Sequence, residues 1–97
     1  MGPIVHWHCL AVGRVQGVFY RARVFEAARR YELVGSVENR PDGTVFIDVQ
    51  GPLDTVESFV RDVSGARGQS DARSVQRIAE LPISSDMRTF DIRRGQE

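Results

Sequence analysis

The sequence predicts an α+β sandwich of order β-α-β-β-α-β with a further short C-terminal strand, in which two helices cover one face of an antiparallel sheet. Three observations carry that expectation. Several segments alternate apolar and polar residues with period two, two others hold apolar residues at helical spacing, and glycine- or proline-containing turns separate them. A strand and a helix followed by a two-stranded hairpin, a second helix and a strand is the split βαβ arrangement.

Residues 4–12 (IVHWHCLAV) are rich in β-branched and aromatic types and read as the first strand. Alternation sets Trp7, Cys9 and Ala11 on one face and His6, His8 and Leu10 on the other. Gly13 to Gly17 is expected to break the strand. From about Tyr20 to Tyr31 the spacing becomes helical, with Val24, Ala28 and Tyr31 at i, i+4, i+7 and Ala27 beside them. Residues 33–39 (LVGSVEN) make a second strand, and Arg40-Pro41-Asp42-Gly43 has the composition of a turn. Residues 44–50 alternate cleanly, with Val45, Ile47 and Val49 on one face, and Gly51-Pro52 is expected to end that strand. Asp54 and Glu57 match the D-x-x-E helix start. Val56, Phe59, Val60 and Val63 then form an apolar stripe running to about Ser64. Residues 65–72 read as a loop, 74–81 as a fourth strand and 89–93 as a short fifth. No repeat or linker interrupts the order, so residues 1–97 are expected to form one domain. The whole is the ferredoxin-like sandwich, a fold that hosts many functions and by itself settles no chemistry.

Composition narrows the function. The 97 residues carry thirteen basic side chains, all of them Arg, against thirteen acidic ones, for a formal net charge of zero. That balance argues against a long polyanionic partner, which calls for a basic excess. A single Cys excludes an intrachain disulfide and points to a reducing compartment. The N-terminal residues lack the charged region and apolar run of a signal peptide, and no 18-residue apolar stretch is present. The expectation is a cytoplasmic monomer with neither a nucleic-acid nor a membrane partner.

The informative segment is Gly13-Arg14-Val15-Gln16-Gly17-Val18-Phe19-Tyr20-Arg21, which leaves a strand through two glycines and enters a helix. Successive backbone N–H groups in such a turn converge on one point as an anion nest. The helix N-terminus adds unpaired N–H groups and a partial positive charge. Arg21 is placed to fork its guanidinium onto two oxygens of the same anion. Between Arg14 and Tyr31 there are five Arg and one Glu, a local excess of +4 within a neutral chain. A small anion held at one focused site is compatible with zero net charge.

GRVQGVFYR followed by VENRPDG resembles the acylphosphatases, whose signature runs G-R-V-Q-G-V-x-F-R with the Asn of a G-W-V-x-N segment eighteen residues beyond its Arg. Arg21 and Asn39 have that separation, and the resemblance extends from about residue 4 to the terminal strand. It implies hydrolysis of the carboxyl-phosphate bond of small acyl phosphates. It also implies that Arg21 and the backbone of Val15, Gln16, Gly17, Val18, Phe19 and Tyr20 bind phosphate, and that Asn39 orients the attacking water. Three positions depart from the pattern: Glu32 stands where the family has Gly, Ser36 where it has Trp, and Tyr20 where Phe is frequent. Glu32 is expected to cost roughly 1 kcal/mol if left-handed.

That reaction needs little from the protein. The departing carboxylate has a pKa near 4, so no general acid need protonate it, and the loose transition state asks for positioning and charge stabilisation. The sequence contains no Ser-His-Asp arrangement, and period two sets Glu38 on the face opposite Asn39. No cofactor and no metal are expected. His6, His8 and Cys9 are close in sequence, but Cys9 points away from the two imidazoles, so the three cannot converge from one straight strand. Cys9 reads as a small core residue. Trp7, Phe19, Phe25, Phe46 and Phe59 read as packing groups rather than base-stacking ones. The expected partners are a small acyl phosphate and inorganic phosphate or similar small anions. The alternative is a non-catalytic phosphate-binding or interaction module of the same fold.

Overall fold

The structure is a computed structural model that describes residues 2–14, 18–64 and 71–93. Strands β1 (Ile4–Arg14), β2 (Val34–Asn39), β3 (Val45–Pro52), β4 (Asp71–Leu81) and β5 (Phe90–Arg93) alternate with helices α1 (Val18–Arg30) and α2 (Leu53–Val63) in the expected order. The sheet order is β4-β1-β3-β2-β5. β3 lies between β1 and β2, antiparallel to both, which is the split βαβ unit.

The two faces follow the sequence alternation. Val5, Cys9 and Ala11 of β1, Val37 of β2, and Val45, Ile47 and Val49 of β3 are buried in one core with Val24, Ala27 and Ala28 of α1 and Val56, Phe59 and Val63 of α2. Both predicted helical stripes are therefore the buried ones, with Tyr31 and Val60 partly covered at their margins. The other face of the sheet carries His6, His8, Phe46, Asp48, Gln50 and Ser36, as the cross-strand pairs His6–Gln50, His8–Asp48 and Ser36–Asp48 require. It is not left open. The segment after β4 crosses it, and Gln50 clamps that segment: its Nε2 donates to the Ser84 carbonyl at 2.9 Å and its Oε1 accepts from the Ser84 N–H at 2.8 Å.

Five expectations need correction. The sheet is mixed, because β5 pairs with β2 in parallel. β4 runs antiparallel to β1, and β1 and β2 point the same way. The chain reverses after β4 and comes back alongside β2 in β2's own direction. Gly13 does not break β1. It has φ 115° and sits at a register shift between Val12 and Gly13, where a bulge accommodates a positive dihedral inside a paired strand. Gly51-Pro52 does not end β3, since Gly51 and Pro52 pair with Val5 and Ile4. Finally, the N-cap of α2 is Pro52, in extended conformation and with no side-chain cap, rather than Asp54. The first α2 amide, Leu53 N–H, is taken up by the Pro3 carbonyl at 2.8 Å, so strand passes to helix with no loop between. Of the predicted loop 65–72, residues 65–70 lie outside the described residues, and 71–72 belong to β4.

The C-terminus of α1 explains Glu32. Leu33 N–H donates to the Ala28 carbonyl at 2.9 Å and Glu32 N–H to the Arg29 carbonyl at 3.1 Å, the two bonds of a Schellman motif. That motif puts the intervening residue in the left-handed region, and Glu32 has φ 57°. It is the one non-glycine residue with positive φ among the described residues.

Candidate active site

β1 ends at Arg14 and α1 begins at Val18, so the glycine-bounded turn spans the end of one and the start of the other. Val15, Gln16 and Gly17 lie outside the described residues. Val18, Phe19 and Tyr20 form the first turn of α1, where their N–H groups have no acceptor within the helix. No acidic residue stands in that turn to neutralise it. The end of the helix that faces the turn therefore keeps its full partial positive charge. Phe19 is 88% exposed, whereas Tyr20 is buried.

Arg21 lies on the next step of α1. Its side chain is half-buried and reaches to β5, where one terminal nitrogen donates to the Arg93 carbonyl at 3.1 Å. Its Nε is buried and has no hydrogen-bond partner among the described residues. Asn39 closes β2, paired with Val45 on the helix-covered side of the sheet. Its Oδ1 is likewise buried without a partner. In the parallel pairing, Arg93 stands opposite Glu38, one residue before Asn39. Holding Arg21 at the Arg93 carbonyl thus brings the guanidinium to the end of the sheet where Asn39 sits. One buried donor and one buried acceptor without partners among the described residues thus lie toward the same end of the sheet, the end at which α1 starts. Leaving either unpaired costs about 1–3 kcal/mol, so each calls for a partner beyond the described residues.

Other candidates for chemistry are removed from this corner. Glu38 pairs with Phe46 on the opposite face from Asn39, as alternation requires. Burial pushes the Cys9 thiol up to about 12, and at that value it is no nucleophile near neutral pH. Burial also raises the Tyr20 phenol well above its ordinary value, and its hydroxyl is engaged with the Val63 carbonyl at 2.9 Å. Tyr20 is therefore a packing residue whose hydroxyl has found a partner in the neighbouring helix. Ser36 is buried opposite Asp48. A groove of about 260 Å³ between Ser36, Asp48 and residues 86–89 lies where a larger side chain would pack.

The role of the Arg93 carbonyl could not be read from the sequence, because a backbone acceptor carries no residue signature and its strand is four residues long. Arg93 and Arg94 read instead as a solvated pair. Arg93 is indeed exposed, but its main chain positions Arg21. Arg94 lies outside the described residues.

A model of the acylphosphatase family matches residues 7–92, nearly the whole chain. The chain belongs to the acylphosphatase family. An acylphosphatase of Natronomonas pharaonis is 35% identical over 94 residues, covering 97% of this chain and 100% of that protein. One from Methanospirillum hungatei is 46% identical over 55 residues, which is 57% of this chain and 60% of that protein. The crystal structure of the acylphosphatase from Bacillus subtilis superposes with a TM-score of 0.80 at 32% identity, covering 91% of this chain and 97% of that one. The ferredoxin-like fold is thus an acylphosphatase fold here, and the family is one of hydrolases. No helix among the described residues is long and apolar enough to cross a membrane.

Proposed function

We propose that this acylphosphatase hydrolyses small acyl phosphates to carboxylate and inorganic phosphate, with Arg21 and Asn39 carrying the reaction. The observation that supports this most directly is that Arg21 Nε and Asn39 Oδ1 are buried and have no partner among the described residues. A phosphoryl oxygen suits the donor and a water proton suits the acceptor. The N–H groups at the start of α1, together with those of Val15, Gln16 and Gly17, take the remaining phosphoryl oxygens. Arg21 adds a permanent positive charge that strengthens as negative charge shifts onto those oxygens and the leaving carboxylate.

Asn39 orients a water for in-line attack on phosphorus. The amide takes no proton at neutral pH, and Glu38 faces away. The proton from the water passes to a phosphoryl oxygen of the substrate, while the P–O bond to the carboxylate breaks. A carboxylate leaves unassisted, so no acid is required. Nothing in these steps uses a metal or an organic cofactor. The reading includes a monomer in the cytoplasm, to which the buried, unpaired Cys9 is suited.

Turnover of benzoyl phosphate in the presence of excess chelator tests the proposal, with Asn39→Ala as the decisive variant. The expected result is chelator-resistant hydrolysis by the native chain and a kcat lowered by about 2.7–4 kcal/mol in barrier, if Asn39 acts as one oriented polar group. Phosphate binding without turnover by the native chain would select the non-catalytic module instead. An Asn39→Ala protein of near-native kcat would remove Asn39 from the mechanism.

A further inference from the structure

We propose that the sheet face opposite the phosphate corner holds a divalent transition-metal site of the zinc class, built from His6, His8 and Asp48. His6 and His8 are two residues apart on β1 and so share a face, and Asp48 stands directly across from His8 on β3. The ligand atoms of the three lie within 4.8 Å of one another. His6 Nε2 is 2.6 Å and His8 Nε2 3.4 Å from the same oxygen, Asp48 Oδ1.

The hydrogen-bond roles around His6 are the key. Its Nδ1 lies 2.9 Å from the Pro82 carbonyl, which only accepts, so Nδ1 carries the ring proton. Nε2 then faces Asp48 Oδ1 at 2.6 Å, and His8 Nε2 faces the same oxygen at 3.4 Å. Such contacts are bridged either by imidazole N–H groups or by a metal ion in their place. One divalent ion satisfies all three groups. An imidazole whose far N–H is held by a main-chain carbonyl is the usual supporting arrangement for a metal-bound His, fixing both the tautomer and the ring plane.

The spacing fits. Ligands about 2.0–2.1 Å from a tetrahedral ion stand about 3.3 Å from each other. The His8–Asp48 distance already has that value, and His6 need open by about 0.7 Å. The environment is also ordered. The edge of the His8 ring lies against Phe46 with centroids 4.8 Å apart, and the Gln50–Ser84 clamp holds the segment that carries Pro82. The side chains of His8 and Asp48 are each 26% exposed, which leaves room for water at the fourth position. Two imidazoles and one carboxylate suit Zn²⁺, and also Co²⁺ as a spectroscopic substitute. The ion would tie β1 and β3 beneath the covering segment. It would lie across the sheet from Asn39, so its role is structural and separate from hydrolysis.

Titration of the full chain with Co²⁺ and with Zn²⁺ at pH 7.5 decides the matter, read by visible absorption of bound cobalt, by calorimetry and by thermal melting. One equivalent should bind, with the intense absorption of a four-coordinate cobalt ion, and at a hundredfold excess over Kd the melting temperature should rise by roughly 10 °C. His8→Ala, which removes a partly exposed ligand, should weaken binding by about a hundredfold or more, and Asp48→Asn should also weaken it. Melting of both variants in metal-free buffer shows whether they fold. No saturable binding by the native chain would overturn the proposal. So would equal affinity in both folded variants, which would place the ion elsewhere.

Discussion

Glu32 shows how one residue can be placed correctly by the chain and still be strained. The Schellman bonds at the end of α1 require the left-handed region, and a side chain there costs about 1–2 kcal/mol relative to glycine. Glu32→Gly should therefore stabilise the fold by about 1 kcal/mol and raise the melting temperature by about 4–8 °C. An unchanged or lower melting temperature would show that the glutamate makes compensating contacts. At Gly35 the logic runs the other way: φ is 143°, and any Cβ would collide with the Asp48 carbonyl oxygen, so this glycine is needed for β2 to lie against β3. At the phosphate corner, Arg21→Gln should raise KM and lower kcat together, because the charge serves both the bound phosphate and the transition state. A loss confined to KM would reduce Arg21 to a docking group. Arg21 and Asn39 could be proposed from the sequence because each belongs to a motif that resembles the acylphosphatase signature, and period two correctly turned Glu38 away from Asn39. The partnership of His6 and His8 with Asp48 was not. Nearness in sequence offered Cys9, which faces the core, while the third group lies forty residues on and is brought across by strand register.

The two helices are joined by side chains of α1 that take up carbonyls at the end of α2. Tyr20 donates to the Val63 carbonyl and Arg23 to that of Asp62 at 2.7 Å, while the Tyr31 hydroxyl reaches the Asp62 carboxylate at 2.6 Å. The last carbonyls of a helix have no partner of their own, so α1 acts as the C-terminal cap of α2. Tyr20→Phe should lower stability by about 1–2 kcal/mol by leaving a buried carbonyl unsatisfied, measurable as a shift in the denaturant midpoint with unchanged slope. An unaltered midpoint would mean that water replaces the hydroxyl. Existence and type were readable from periodicity where burial on one face imposes the pattern, as in β3 and α2, and less plainly in β4, whose described side chains are half-buried or exposed. Ends and directions were less so. Pairing with β1 carries β3 through Gly51-Pro52, and a four-residue β5 has no internal sign of whether it runs with or against its neighbour.

For the molecule as a whole, alkaline pH should expose the cost of the buried thiol. Cys9 has an ordinary value of 9.0 and is pushed up to about 12 by burial. Between those values the unfolded chain has lost the proton and the folded chain retains it. Stability is therefore fully present below pH 9 and falls as pH rises, by up to about 1.4 kcal/mol per pH unit from this group. Tyr20, raised from 10.0, adds in the same direction. Equilibrium unfolding of the native chain and of Cys9→Ala from pH 8 to 11 should show a shallower decline in the variant, and parallel curves would assign the loss to other groups.

The parallel strand at the sheet edge has a consequence for synthesis. Arg21 is set by the main chain of Arg93, seventy-two residues further on. During vectorial translation the glycine-bounded turn, Arg21 and Asn39 all emerge before β5, the last of the described elements. A nascent chain stopped short of Phe90 would hold every group proposed to react and lack the carbonyl that accepts from the Arg21 guanidinium. Catalytic competence should thus arrive as a late step, switched on when the final strand docks rather than accumulating as the chain lengthens.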